Sequence, residues 1–338
     1  MAGMTSARTL AWALFDDIVA ESAGRDSNPW SAQTPGAHPA APEVVFAADY
    51  DTLSALLGVP VLLGATSQSG VPALAVDVWV AYELRRAGFD PDAVWPRAEE
   101  PRVLPSELLR FAERLPDGLA HTVRGYLRAG YGGASAANLL GKNYVKQVDV
   151  VMSAWSTGPE LMISTKRMDS SFGKNAANRV EESYGDAKNL RLRHPRAALG
   201  FVFALSARAF EREPLTAERI VDLLIKLGRE DDAYDAVALV VPDLAPEQEA
   251  GADAADPLDG DAAAEVSVLP VGDGGDLFAA HRPSLSDVPV VPLRHAPVPP
   301  ELDPGRFLRV MAERVLDNSP VDFHREARRR RSQATPSP

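Results

Sequence analysis

The sequence predicts an α/β protein whose central mixed β-sheet is flanked by helices. Two observations predict this fold class. Residues 144–241 alternate as two strands, a helix, a strand, a helix and a strand. Apolar residues make up 46% and charged residues 24% of the 338 residues, a composition that suits a protein with a sizeable buried core.

The composition also excludes several functional classes. The chain has no cysteine, which excludes disulfide scaffolds, cysteine-ligated zinc, iron–sulfur clusters and cysteine nucleophiles. The longest apolar runs, 199–205 and 236–241, fall far short of the ~20 residues that a membrane span needs. The apolar stretch 10–15 is short and is followed by Asp16, so we expect no signal peptide and a cytoplasmic protein.

The first 130 residues predict a helical N-terminal region. Its helices are expected over 7–22, 73–87, 105–115 and 119–127. Between the first two, residues 23–42 are rich in Pro, Ser, Gly and Ala and predict a flexible connector. This region is expected to recognise DNA, mediate dimerisation or contact a protein partner.

Residues 131–242 predict the α/β core. Strands over 144–152 and 161–166, joined by a turn at 156–159, predict a hairpin. The elements expected after it are a helix over 175–193, a strand over 198–205, a helix over 217–227 and a strand over 234–241.

The C-terminal part predicts partial disorder. Residues 243–265 contain eight acidic residues and no basic one, which is typical of a linker. Residues 266–323 are Pro-rich with a short helix over 304–316, and 324–338 predict a basic tail that carries Arg328–Arg331. The tail has two open interpretations, nonspecific contact with DNA and a solubilising role.

Charge is unevenly distributed along the chain. The whole chain carries −12, yet residues 141–200 hold ten basic and six acidic residues, a net charge of +4. Such a locally basic surface is able to bind a polyanion because phosphate contacts act at short range in salt. Solvated helix faces would give the same count, so charge alone leaves both readings open.

One constellation carries a chemical pattern. Asp149 lies on the first core strand, and Lys166 ends an apolar strand 17 residues later. Charged groups at apolar strands are costly unless they are paired or bind a metal. Metal-assisted phosphodiester hydrolysis uses carboxylates to hold Mg²⁺ and a lysine to stabilise negative charge. A second acid is expected two residues before the lysine, where this chain has Ser164.

With this order of residues, positions 131–206 resemble the PD-(D/E)xK nuclease superfamily, which includes many restriction endonucleases. The resemblance implies a restriction-endonuclease-like sheet with a site formed by Asp149 and Lys166. It is similar to the type II branch that has S-x-K on the strand and a glutamate relocated to the following helix. In that branch Ser164 would supply a hydrogen bond in place of the missing acid.

The following helix offers Glu181 and Glu182 as the relocated ligand. The apolar stripe of this helix, including Val180 and Tyr184, should face the sheet. At about 100° per residue, Glu181 lies roughly 60° from Tyr184, whereas Glu182 lies about 160° from Val180. We therefore expect Asp149 and Glu181 to hold the metal, with Glu160 as the second choice.

The resemblance implies a Mg²⁺-dependent DNA endonuclease, for restriction or defence against phage, acting on DNA as a homodimer. Polar and basic residues near the site are expected to contact phosphates. They are Lys142, Lys146, Lys174, Asn175, Asn178, Arg179 and Lys188. Two alternatives stay open: an inactive nuclease fold that binds DNA or a partner, and a structural component of a larger complex.

Overall fold

The computed structural model has a central five-stranded sheet between two helical layers. It describes residues 7–24, 27–33, 43–66, 69–129, 131, 133–134, 136–170, 172–244 and 283–334, with 174–177 as backbone only. The predicted acidic linker 243–265 therefore lies outside the described residues except for Asp243 and Leu244. None of the described helices has the length and apolar content to cross a bilayer.

The sheet is mixed in strand direction. Its strands, from edge to edge, are β3 (Val94–Trp95), β6 (Val150–Ala154), β7 (Gly158–Met168), β8 (Ala198–Leu205) and β9 (Ala236–Val240). Strand β6 runs antiparallel to both β3 and β7, whereas β8 runs parallel to both β7 and β9. The hairpin and the later strands predicted from residues 144–241 are observed, but the strand predicted over 144–152 divides at Asp149, and only the part from Val150 onward pairs with β7. The edge strand β3 comes from the predicted N-terminal region.

One face of the sheet is covered by helices from both ends of the chain. These helices are α1 (Ala7–Ala23), α2 (Tyr50–Leu62), α3 (Val71–Arg86) and α9 (Pro304–Asn318). The packing is close where α9 crosses β8, because a Cβ on Gly200 would lie 2.7 Å from the ring of Phe307. Glycine in this strand therefore provides room for a buried aromatic side chain.

The opposite face is covered by α6 (Phe172–Arg191) and α8 (Pro214–Leu227), with α7 (Arg208–Arg212) leading into α8. All eight residues of β8 are buried, because side chains that alternate along the strand meet a helical layer on either side. This burial explains why the strand appears in the sequence as an unbroken apolar run.

Two small hairpins and two helices lie outside the main sheet and its covering layers. One hairpin pairs β1 (Trp30–Gln33) with β2 (Glu43–Phe46), and β1 falls within the predicted connector 23–42. A second hairpin pairs β4 (Ala137–Leu140) with β5 (Val145–Val148) just before the core strands. Helices α4 (Ser106–Glu113) and α5 (Asp117–Arg128) pack side by side.

The arginine run predicted as a tail forms a helix, α10 (Arg325–Gln333). Arg328 donates hydrogen bonds to the carbonyl oxygens of Leu316, Ser319 and Pro320, at 2.6, 3.0 and 3.2 Å. Arg330 donates to the carbonyl of Arg86 at 3.0 Å. The prediction of a tail is wrong here because the guanidinium groups of Arg328 and Arg330 donate hydrogen bonds to backbone carbonyls within the protein.

A buried polar network joins α2 to α3. The amide of Asp49 and the guanidinium of Arg86 each donate to the Glu83 carboxylate at 2.6 Å, and the Tyr82 hydroxyl donates to Asp49 at 2.9 Å. Glu83 is fully buried, and burial raises the pKa of its carboxyl to about 7, although Arg86 and the Asp49 amide oppose this shift.

This pKa predicts a pH dependence of stability. A carboxyl whose folded pKa exceeds its unfolded pKa contributes stability below the unfolded pKa, and that contribution is lost as pH rises through the folded pKa. Between pH 4.5 and pH 7, the free energy of unfolding of the wild type should fall by about 3 kcal/mol relative to Glu83→Gln. Denaturant titrations across this range would measure the difference, and a constant difference would contradict it.

Candidate functional site

Asp149 sits at the point where β6 meets β7. Pairing of Val150 with Ile163 places the preceding Asp149 beside the second half of β7. One carboxylate oxygen of Asp149, Oδ2, accepts a hydrogen bond from the backbone amide of Thr165 at 2.7 Å. The position of the half-buried Asp149 side chain is therefore tied to the strand that carries Lys166.

Thr165 holds a second carboxylate. Its hydroxyl donates to Oδ1 of Asp77, which lies in the middle of α3 on the adjoining helical layer. Asp77 is only 5% exposed. One residue of β7 thus links two carboxylates that are 72 positions apart in the sequence.

The electrostatics of Asp77 are unusual for a residue in an apolar helix. Burial raises the pKa of Asp77 well above its usual value, and the nearby charge of Asp149 raises it further. The Thr165 hydrogen bond lowers this pKa, as do the positive charges of Arg8 and Lys166. Two carboxylates held close together in partly apolar surroundings form an environment that a cation would stabilise.

Lys166 lies at the same end of the sheet. It is half-buried, and alternation along β7 places it on the face of Met162 and Met168, beneath α6. Its charge acts on Asp77, as the direction of that pKa effect shows. Asp149 and Lys166 therefore lie at one end of paired strands, with Asp77 at the same end beneath the opposite face of the sheet.

Ser164 is directed into the interior. Its side chain is 7% exposed and forms a hydrogen bond with the hydroxyl of buried Tyr234. Burial, together with the charges of Asp186 and Asp149, raises the pKa of Tyr234, so this phenol stays protonated. The Tyr234 hydroxyl in turn donates to the carbonyl of Ser183 at 2.9 Å. Ser164 thus helps to join β7, the segment that leads into β9, and α6.

Glu181 is exposed, and so is Glu182. The buried face of α6 includes Val180, Ser183, Ala187 and Leu190. Ser183 belongs to this face because its hydroxyl donates to the carbonyl of Arg179 at 2.7 Å, which satisfies the polar group inside the protein. Glu181 lies about 160° around the helix from the buried Ser183, which is why it points outward although the predicted stripe placed it near the sheet.

Glu160, the second choice as metal ligand, lies near the other end of β7. Six residues separate it from Lys166, which corresponds to roughly 20 Å along an extended strand. Its carboxylate pairs instead with His324 Nε2 at 3.3 Å, with both side chains largely buried. The structure therefore places Glu160 apart from Asp149 and Lys166.

Two of the predicted phosphate contacts, Lys142 and Asn178, are exposed. The half-buried Arg179 donates to the carbonyl of Arg167 at 3.3 Å, close to the end of β7. Lys174 and Asn175 lie within α6, and their side chains fall outside the described part of the chain.

The other two predicted contacts form ion pairs. Lys146 pairs with Asp186 at 2.8 Å, and Lys188 pairs with Asp232 at 3.0 Å while it lies over the ring of Tyr184. Exposed pairs of this kind exchange easily for phosphate contacts, because each contributes little in water. Lys188 suits such an exchange better than Lys146, whose pair is more enclosed.

Asp77 is the site residue that sequence reasoning missed. The available signal was a single carboxylate in the apolar stretch from Val71 to Tyr82, which a helix buries on most of its faces. Within the described ranges, no three His, Asp or Glu side chains converge as a metal-binding group. The candidate site is therefore described by two carboxylates, Asp77 and Asp149, that Thr165 connects.

No known family model, curated protein or solved structure matches the chain.

Proposed function

We propose that this protein is a metal-dependent DNA endonuclease that hydrolyses phosphodiester bonds, acts in the cytoplasm and serves in restriction or defence against phage. The observation that carries the proposal is the bridge through Thr165, which holds Asp149 and the buried Asp77 side by side near Lys166. Placing two carboxylates together costs free energy in the folded state, and such a cost is typical of functional sites.

The donor set fits magnesium. Carboxylate oxygens are the ligands that Mg²⁺ prefers, and one or two carboxylates suffice because the ion keeps several waters. Asp77 and Asp149 would hold the ion, and Asp77 takes the role that the sequence assigned to Glu181. When bound, the ion would polarise a phosphoryl oxygen and lower the pKa of a water molecule.

The remaining roles belong to the protein. The Lys166 ammonium would stabilise negative charge on the phosphate, and Thr165 would keep both carboxylates in place. Lys142, Asn178 and Lys188 would contact the DNA backbone without reading its sequence.

Incubation with supercoiled plasmid tests the proposal. We expect the wild-type protein to nick or linearise the plasmid with Mg²⁺ but not with EDTA, and Asp149→Ala to leave it intact. Asp222→Ala is the matched control, because Asp222 is exposed and pairs with Lys226 on the surface of α8. If the wild type binds DNA but neither cleaves it nor binds Mg²⁺, an inactive DNA-binding fold replaces the proposal.

A further inference from the structure

The hairpin of β4 and β5 presents one face to solvent. Across its strands Asn138 pairs with Gln147, and Leu140 pairs with Val145. Residues directly opposite each other in an antiparallel pair point to the same side, and all four of these side chains are exposed. We call the hairpin, residues 137–148, the ribbon, and these four residues form its outer face.

The inner face attaches the ribbon to the core. Ala137 and Val148 are buried in the same apolar layer as α6. Lys146 pairs with Asp186 of α6 at 2.8 Å, and the Tyr144 hydroxyl donates to the same carboxylate at 2.9 Å. A two-stranded hairpin alone is marginally stable in water, so these contacts give the ribbon its fixed position.

One buried amide, that of Asn189 on α6, holds the turn of the ribbon. Its side-chain oxygen accepts a hydrogen bond from the Asn143 amide at 2.8 Å, and its side-chain nitrogen donates to the Tyr144 carbonyl at 3.1 Å. Gly141 packs so closely on this side chain that an added Cβ would clash with it. The outer face is therefore ordered before it binds a partner, which lowers the entropic cost of recognition.

The outer face carries groups that match the edges of A·T base pairs. Neither the Asn138 nor the Gln147 side chain forms a hydrogen bond within the described part of the chain. In the major groove, such amides form two hydrogen bonds with N6 and N7 of adenine, and apolar side chains contact the methyl group of thymine. Leu140 and Val145, at 49% and 55% exposure, offer that apolar contact two positions further along the strands.

The size and charge of the ribbon suit duplex DNA. The major groove is about 12 Å wide and admits a two-stranded ribbon. Residues 137–148 contain two lysines and no acidic residue, and Lys142 at the tip is exposed. Exposed Arg193 adjoins His194, whose ring lies 3.0 Å from the Leu140 carbonyl oxygen, so a further cation lies near the tip. These charges are complementary to the phosphates that border the groove.

The ribbon leads directly into the candidate site. Asp149 follows the last residue of β5, so Gln147 is two residues, roughly 7 Å, away from it. Successive nucleotides of one strand rise 3.4 Å along the helix axis. Bases contacted by the ribbon would therefore lie about two base pairs from a phosphate held at Asp149.

We propose that the outer face of the ribbon enters the major groove of duplex DNA and recognises A·T base pairs through Asn138 and Gln147. This inference rests on the proposed function and assigns base recognition to residues beside the same site. Duplex RNA does not fit, because side chains do not read its deep and narrow major groove.

Selection from random DNA duplexes in EDTA tests base recognition without cleavage. The wild type should enrich A·T pairs at fixed positions, and Asn138→Ala and Gln147→Ala should each lose about fivefold or more of the preference at one of them. Asn318→Ala is the matched control, because this exposed amide on α9 donates to a carbonyl of its own chain. It should select the same duplexes as the wild type.

Duplexes with 7-deazaadenine provide a second test, since this base lacks the N7 acceptor in the major groove. At a selected position it should weaken wild-type binding about fivefold and leave the corresponding alanine variant unaffected. Lys142→Ala should instead weaken binding to all duplexes alike and lower the salt dependence by about one phosphate contact.

The outcomes distinguish a failure of the ribbon from a failure of the endonuclease. Plasmid cleavage without base preference, or a preference that both alanine variants retain, would overturn the role of the ribbon alone. Base selection by a protein that never cleaves would support the ribbon and overturn the endonuclease. Absence of binding to every DNA duplex would overturn both, and equal affinity for duplex RNA of the selected sequence would overturn major-groove recognition.

Discussion

Replacement of Asp77 by asparagine should abolish metal-dependent cleavage while leaving the fold at least as stable as wild type. Asparagine keeps the acceptor oxygen for the Thr165 hydroxyl and removes a buried charge that Asp149 repels. Because burial raises the pKa of Asp77, its contribution to stability is present below pH ~4 and is lost as pH rises. The stability advantage of Asp77→Asn should therefore grow with pH.

The expected loss of cleavage rate is at least about 100-fold, since even the outer partners of metal ligands contribute 10–100-fold. Thermal unfolding with and without Mg²⁺ gives a readout that does not depend on activity. Mg²⁺ should raise the melting temperature of the wild type and leave that of Asp77→Asn unchanged. Asp222→Asn, an exposed carboxylate paired with Lys226, should behave as wild type in both assays.

The Asp77 result also decides between two ligand sets. If Glu181 is the metal ligand, Glu181→Ala loses cleavage and Asp77→Asn retains it. The exposed position of Glu181 leads us to expect the reverse. A strong loss of folding in Asp77→Asn at neutral pH would instead assign Asp77 a purely structural role.

Replacement of Lys166 by methionine should lower the single-turnover cleavage rate about 100- to 1,000-fold, which is the usual cost of removing one group that stabilises transition-state charge. Methionine preserves the packing of the stem beside Met162 and Met168. Metal binding should persist at alkaline pH, because neither carboxylate is altered.

The pH dependence of Mg²⁺ binding distinguishes a role of the Lys166 charge from a role in packing alone. The positive charge of Lys166 lowers the pKa of Asp77, so its removal should raise that pKa further. The pH at which Mg²⁺ binding appears in calorimetry should then move upward in Lys166→Met, and Lys166→Arg should hold it near wild type. Equal pH profiles in all three proteins would contradict a role for this charge.

Much of the sheet was predictable because its signals are local. The strand Ala198–Leu205 is observed with the predicted bounds, and the hairpin of β6 and β7 follows its turn signal. Helix α2 was missed, since Gly58 and Pro60 argue against a helix over Tyr50–Leu62. Packing against α1 and α3 stabilises that helix, and such tertiary contacts are invisible in a local pattern.

The site was predictable only in part. Asp149 and Lys166 were found because they adjoin apolar strands that pair with each other. Asp77 depends on which side of α3 meets the sheet, and Glu181 depends on Ser183 being a buried residue of α6. Both are decided by contacts between elements far apart in sequence, which periodicity within one element does not reveal.

Helix α10 contacts elements from both ends of the chain. The side chain of Arg330 donates a hydrogen bond to the end of α3, and the backbone carbonyl of Arg330 accepts one from the Asn28 side chain. Arg331 forms an ion pair with Glu313 on α9. In the sequence, the four consecutive arginines look like a tail that a truncated variant would omit. Removal of the residues from 324 onward would eliminate these contacts with α3, α9 and Asn28, and the helical layer that carries Asp77 would keep only the packing of α9 to connect the two ends of the chain.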